Sequence, residues 1–399
     1  MKLKKRILAG LVSLTVLLCS CSGQPSNDSS TQSSSKSAAA QITTVSSESA
    51  AAPSEQTTAT SEQATASSEN TTTTSEQAAA SSEQTTTSSE QTAPAPGSTA
   101  ESQSTQTSSQ QQNESVQGVP MWEGTAPNGN KILFLGSMHA AKPDFYPIPE
   151  KIKTAYEQAE IMAFECDSEG AHSESLQFEQ QRKMTCTDGS QLKDKLSPEA
   201  YEILCAHLAE LGSTEESVAD LRPWAAYEML SMLWMQSSGI STTNGIDYYL
   251  LRQTKKDAKQ LFELENAQTQ LDMVTEQPDK LYDTLLRLTK DETKQTFASE
   301  NNKLYEAWLT GDIETIAEIS ELPSDEELKK YGISSEDLTL IKNRNKIQVD
   351  DRNAVMAEGI KKLFASEKKV FVTVGVGHYI GENGLISLLE KDGYTFKRI

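Results

Sequence analysis

The sequence predicts an α/β domain with strand-type runs at its two ends and helix-type runs between them, preceded by a disordered stalk. Two features carry that expectation. Residues 22 to 117 are almost wholly Ser, Thr, Gln, Ala and Glu, without Cys, Trp, Tyr or Phe. Such a stretch cannot bury enough apolar surface to offset its ordering entropy. Beyond it, apolar strand-like runs stand near 132–136 and 370–375, with amphipathic helical patterns filling the chain between them.

The N-terminus reads as an address. Lys2, Lys4, Lys5 and Arg6 precede an apolar stretch from Ile7 to Leu18, closed by Cys19-Ser20-Cys21. That stretch falls short of the roughly twenty residues a membrane span needs, and the whole is similar to a bacterial lipoprotein signal. Cys21, preceded by small Ser20, is the expected lipidation site. The expectation is a signal peptide over 1–21 and a lipid anchor in a cell membrane on its extracytoplasmic side. Glutamates at 48, 55, 62, 69, 76, 83 and 90 give the stalk a period of seven. Its repeat positions are Ser, Thr and Ala rather than apolar, which argues for a spacer and against a coiled coil.

Residues 118–399 are long enough for one large or two small domains. They hold 31 of the basic and 47 of the acidic residues, so the domain carries about −16 and nucleic acid is excluded as a partner. Cys166, Cys186 and Cys205 have no metal-type spacing, and no disulfide is assumed among them.

In chain order, Met121 to Thr125, the turn Pro127-Asn-Gly-Asn130 and Lys131 to Gly136 predict a hairpin. Pro149 opens a helix with Ile152, Ala155, Tyr156 and Ala159 on one face, and Glu160 to Cys166 returns as a buried strand, a βαβ unit. Alternation there puts Ala163, Glu165 and Asp167 on one face. From about 195 to 362 the chain is mostly helical: Ser197-Pro198 is a cap followed by proline at the first helical position, Arg222-Pro-Trp224 opens a second helix, and a third starts near Asn244. Gln260 to Glu265 reads as a strand with Glu263 and Glu265 on one face. Asp351-Arg352-Asn-Ala-Val-Met356 precedes a helix reaching Phe364. After the strand at 370–375, Asn383 caps a helix from Leu385, Gly393 stops it, and Tyr394 to Ile399 is a last strand. Charges between 277 and 347 read mostly as solvated helix faces.

Two of the four histidines sit three residues after a strand-end glycine, in Gly136-Ser-Met-His139 and Gly375-Val-Gly-His378. With glycine so sparse the coincidence is about a one-in-seventy event. It points to one shared imidazole site at the carboxyl edge of a sheet, where α/β folds bind ligands.

Together with Pro-Asp144-Phe-Tyr146-Pro, Met-Ala-Phe-Glu165, Arg-Pro-Trp224, Asn-Gly-Ile-Asp247, Glu-Leu-Glu265-Asn-Ala-Gln, Asp-Arg352-Asn and Val-Gly-Val-Gly-His378-x-x-Gly-Glu-Asn-Gly-Leu, these runs resemble the TraB/GumN family, which includes the Tiki peptidases. The resemblance spans nearly all of 120–399. It implies a mixed β-sheet core with a large helical insertion, and a metal-dependent peptidase site of His139, His378 and Glu165.

The residue chemistry agrees with that implication. Two neutral imidazoles and a carboxylate make a workable shell for a divalent metal ion, manganese, cobalt or zinc, with positions open to water and substrate. Arg352 would hold Glu165 ionised or stabilise an oxyanion, Glu265 is a further catalytic candidate, and Asp144 and Tyr146 would line a substrate cleft. His172 and His207 read as surface residues, Trp224 as core and Cys166 as a buried packing residue. The function expected is metal-dependent hydrolysis of a peptide or protein substrate. The alternatives are a metal-free esterase-like hydrolase with a histidine base and a non-catalytic binding lipoprotein of the same fold.

Overall fold

The computed structural model describes residues 118–399 apart from 171, 172, 323 and 331. The expected signal peptide with Cys21, the stalk over 22–117, and His172 lie outside the described residues.

Met121–Thr125 (β1) and Lys131–Ser137 (β2) form the opening hairpin, with Thr125 opposite Lys131. Gly129 sits in the turn at φ +89°, where a side chain would be strained. Helix α1 (Glu150–Gln158) buries Ile152, Ala155 and Tyr156, and strand β3 (Ile161–Phe164) follows it. Helices α2 (Glu174–Met184), α3 (Pro198–Glu210), α4 (Pro223–Ser237) and α5 (Ile246–Lys256) lead to strand β4 (Gln260–Glu263). Then come α6 (Ala267–Thr275), α7 (Asp279–Leu288), α8 (Lys294–Thr310), α9 (Ile313–Ser320), α10 (Asp325–Lys330), α11 (Ser335–Asn345) and α12 (Asp351–Phe364). Strand β5 (Val370–Gly375), helix α13 (Leu385–Lys391) and strand β6 (Thr395–Arg398) close the chain.

The six strands run in the order β4-β3-β5-β2-β1-β6. β5 lies between β2 and β3, parallel to both, and β4 adds to β3 in parallel. The hairpin strand β1 and the last strand β6 are antiparallel, so the sheet is mixed. Strands inside the parallel block are covered on both faces, which is why β3 is wholly apolar and β5 apolar but for Thr373: every residue of each is buried.

Two apolar cores divide the work. One wraps the sheet and takes in α1, α12 and α13 together with parts of α5, α8 and α9. The other is the helical insertion, where Leu204, Trp224, Leu230, Trp234, Leu281 and Leu285 pack from α3, α4 and α7. Trp308 on α8 joins helix to sheet. It is wholly buried and its Nε1–H donates to the Gly136 carbonyl over 2.8 Å, so truncating it would cost about 3–5 kcal/mol. Ser197 caps α3 as its sequence suggests, its hydroxyl accepting from the Ala200 N–H with Pro198 at the first helical position.

Several expectations need correction. His207 is not a surface residue: it is 5 % exposed, its Nε2 is bonded to Thr289, and its ring meets Trp234 edge-on. β3 ends at Phe164, where a bend replaces the predicted alternation through Asp167. β4 likewise stops at Glu263, so Glu263 is exposed while the Glu265 carboxylate turns inward to 4 % exposure; they do not share a face. Asp351 to Met356 does not precede a helix but forms the first turns of α12, entered through a π-helical turn at Lys346–Asp350. Gly384, not Asn383, precedes α13, and no side chain caps it. Among the charged residues of 277–347, Glu292, Asp337 and Arg344 are buried rather than solvated.

Candidate functional site

The four parallel strands end on one edge of the sheet, and each is followed within three residues by a chemically capable side chain. Ser137 lies opposite Gly375, Phe164 opposite both Thr373 and Glu263. The chain therefore delivers His139 after β2, His378 after β5, Glu165 after β3 and Glu265 after β4 to neighbouring places, although up to 239 positions separate them.

Glu165 is the hub. Its Oε1 lies 3.4 Å from His139 Nε2 and 3.9 Å from His378 Nε2, and accepts the Gly375 N–H at 2.7 Å. Its Oε2 accepts from Arg352 Nη2 at 2.6 Å, and Arg352 Nε donates to both oxygens of Glu265 at 3.0 and 2.9 Å. All of Glu165, Glu265 and Arg352 are buried. The shared guanidinium is what makes two buried carboxylates tolerable side by side.

The outer ring nitrogens are equally committed. His139 Nδ1 lies 2.6 Å from Asp247 Oδ2 on α5, and a carboxylate can only accept, so Nδ1 carries the proton. His378 Nδ1 lies 2.7 Å from Asn353 Oδ1, whose amide nitrogen donates to the Asn383 carbonyl at 2.9 Å. That second bond fixes which end of the amide faces the ring. Each imidazole thus turns Nε2 toward Glu165, in the manner of metal-binding histidines oriented by an outer partner.

Charge follows geometry. Burial opposes a charge on His139, but Asp247 and Glu165 outweigh it and push its pKa up to about 10. Burial and the Arg352 guanidinium press His378 down to about 3. Burial would raise Glu165, yet His139 and Arg352 hold it well below the usual carboxylate range. Burial lifts Glu265 above its ordinary value despite Arg352. Burial, with Glu165 and Glu265 nearby, likewise pushes the Cys166 thiol far up, so it stays protonated; its Sγ–H donates to Gln270 Oε1 as a packing residue would.

The glycines serve space rather than turning. Gly375 has φ −52°, open to any residue, but a Cβ there would stand 2.9 Å from His139 Nε2 and 3.1 Å from Glu165 Oε1. A Cβ on Gly245 would meet the His139 carbonyl at 2.5 Å. Beneath the His139–Glu165 contact, Asp247, Leu251, Cys166 and Thr373 help to line a crevice of about 10 Å³, room for one water-sized occupant.

Of the residues singled out in the sequence, His139, His378, Glu165, Arg352 and Glu265 come together. Asp144 and Tyr146 do not join them: Asp144 is exposed on a short 3-10 turn, and the Tyr146 hydroxyl donates to the Asn244 carbonyl at 3.0 Å while its ring packs on Tyr249. Asp247, Asn353 and Thr373 were not assigned roles from sequence. The available signals were adjacency and placement: Asn353 follows Arg352, and Asp247 stands in the first turn of an amphipathic helix.

Two of the donor pairs stand close enough to share a divalent ion. Two atoms each about 2.0–2.2 Å from a shared zinc ion can lie no more than about 4.3 Å apart, and 3.4 and 3.9 Å satisfy that bound. Among the described residues, as they stand, no group of three or more His, Cys, Asp or Glu side chains is placed to hold a metal ion. The donors are neighbours that an ion would draw together.

A model of the TraB/PrgY/gumN family matches residues 120–398. The protein called "Uncharacterized protein YbaP" of Escherichia coli (strain K12) is 26 % identical over 162 residues, which is 40 % of this chain and 58 % of that protein. The protein of the same name in Shigella flexneri matches to the same extent. The chain thus spans 58 % of the length of these curated relatives. No solved structure matches significantly.

Proposed function

The chain belongs to the TraB/PrgY/gumN family, and from that premise we propose that it is a metal-dependent hydrolase acting on peptide bonds, held by a lipid on Cys21 at the outer side of a cell membrane. The observation that carries the proposal is the convergence of two imidazole Nε2 atoms on one oxygen of Glu165, with both Nδ1 atoms already committed. Charge balance supports it. The site holds three carboxylates, Glu165, Glu265 and Asp247, and one guanidinium, Arg352. A proton on His139 offsets one of the two excess negative charges, whereas a divalent ion in its place offsets both.

The residues that would hold the ion are His139, His378 and Glu165. When bound, such an ion polarises a carbonyl and makes water available as a nucleophile near neutral pH. The chain's own contribution is orientation. Asp247 and Asn353 aim the two rings, Arg352 ties down Glu165 Oε2 so that Oε1 alone faces them, and Glu265 fixes Arg352 by a bidentate pair. Because Glu165 is held ionised, its role is ligand rather than acid. Peptide-bond specificity is carried by the resemblance to the Tiki peptidases.

Titrating the purified chain with manganese, cobalt and zinc tests the reading. Wild type should bind one ion, His139→Ala and His378→Ala should each abolish binding, and the double variant should cost little more than either alone. His172→Ala should leave binding intact. If wild type binds none of the three, the ion is wrong and the hydrolase reading falls with it. For the anchor, Cys21→Ala should leave the membrane fraction or stay unprocessed; unchanged fractionation and mass would refute lipidation.

A further inference from the structure

The crevice under His139 has a polar side that the ion reading does not use. Thr373 is 1 % exposed, and its Oγ1 has no hydrogen-bond partner in the protein. Asp247 Oδ1 is buried in the same crevice and also lacks a partner, although the other oxygen of that carboxylate holds His139. A buried hydroxyl and a buried carboxylate oxygen left unpaired forfeit the hydrogen bonds they make in water, so the pairing must be made some other way. Thr373 and Gly375 lie two residues apart on one face of β5, and α5 covers that face with Asp247 and Leu251. Thr373 therefore lines the same crevice as the His139 ring that Gly375 makes room for.

We propose that Thr373 is a positioning residue of this site, whose hydroxyl and Asp247 Oδ1 jointly bind one water molecule that locks Asp247 against His139. The donor count closes. Water donates one hydrogen to Asp247 Oδ1, which can only accept, and receives the Thr373 O–H on a lone pair; its second hydrogen faces the Glu165 carboxylate side of the crevice. A crevice of about 10 Å³ with these polar walls meets the size and partner requirements for one buried water. Held at both oxygens, Asp247 has one orientation left, and His139 Nε2 with it. Cys166 cannot substitute for Thr373, since its Sγ–H is already given to Gln270. The inference takes the ion reading as the reason the orientation matters, but the water itself does not depend on any ion.

The test is a set of crystal structures of the full chain, wild type, Thr373→Val and Thr373→Ser, at about 1.5 Å or better, with titrations of manganese, cobalt and zinc on the same proteins. A water within about 2.5–3.2 Å of both Thr373 Oγ1 and Asp247 Oδ1 is expected in wild type and Thr373→Ser. In Thr373→Val the water should be gone and the Asp247–His139 contact lengthened, with ion affinity about tenfold weaker and restored by serine. A dry wild-type crevice, a metal ion in place of the water, or an unmoved Asp247–His139 pair in Thr373→Val would overturn the proposal. So would ion binding that is as tight in Thr373→Val as in wild type. If wild type binds no ion at all, the hydrolase reading falls, and the crystal comparison alone still decides whether Thr373 and Asp247 share a water.

Discussion

Gly375 shows how little of a site need be chemically active. It contributes an N–H to Glu165 and an absence of side chain where His139 and Glu165 approach each other. Its strand is paired on both sides, by β2 and by β3, and cannot retreat. Gly375→Ala should therefore displace the imidazole rather than the backbone, weakening ion binding at least tenfold while overpacking destabilises the fold by about 1–3 kcal/mol. Ion titration alongside a thermal melt would check this, and an unchanged affinity would mean that the imidazole does not sit against Gly375. In the sequence this glycine stands out only as the end of a strand before His378. Its true constraint is a contact with residues 236 and 210 positions away, which no local pattern encodes. The same holds for Asp247, which reaches His139 across 108 residues. The histidines themselves were legible because a strand, a glycine and a fixed offset were repeated.

Elements were legible where the cause is local. The hairpin turn needs Gly129 at positive φ, and α3 needs Ser197 and Pro198; both stand in the sequence as plain signals. Elements failed where tertiary contact decides. Asn383 looks like a cap, yet its part is to offer a carbonyl to Asn353, which orients His378. His207 looks like a solvated helix residue, yet α3 turns it into the helical core against Trp234 and Thr289. Burial pushes its imidazole down, against the Thr289 carbonyl and Glu210. A histidine whose pKa is lower folded than unfolded contributes its full stability above the unfolded value, near about 6.5. That stability is lost as pH falls toward the folded value, because the unfolded chain takes up the proton first. Melts between about pH 7.5 and 5 should therefore fall more steeply for wild type than for His207→Gln, which keeps a donor for Thr289 but cannot titrate. Parallel curves would place His207 outside the core.

At the scale of the whole molecule the two ends of the domain meet on one sheet edge. Among the described residues β6 pairs only with β1, Phe396 packs on Phe134, and Arg398 Nη2 donates to the Gly118 carbonyl at 2.6 Å. Gly118 is also wedged against Thr310, where a Cβ would stand 2.1 Å from the carbonyl oxygen. Residue 118, the first of the described residues, is thus held in place, and both apolar cores of the described residues lie beyond it. With the preceding Ser/Thr/Gln/Glu-rich stretch unable to add an apolar core of its own, a chain starting at residue 118 should melt within about 2 °C of the full chain, a difference under about 1 kcal/mol. It should also bind the same ions. A chain starting at Ala126 should fail, because removing β1 strips β6 of the strand it pairs with and bares the Phe134 face of β2. A clear loss of stability in the first truncation would show that residues before 118 belong to the fold, and survival of the second would show that the β1–β6 edge does not hold it together.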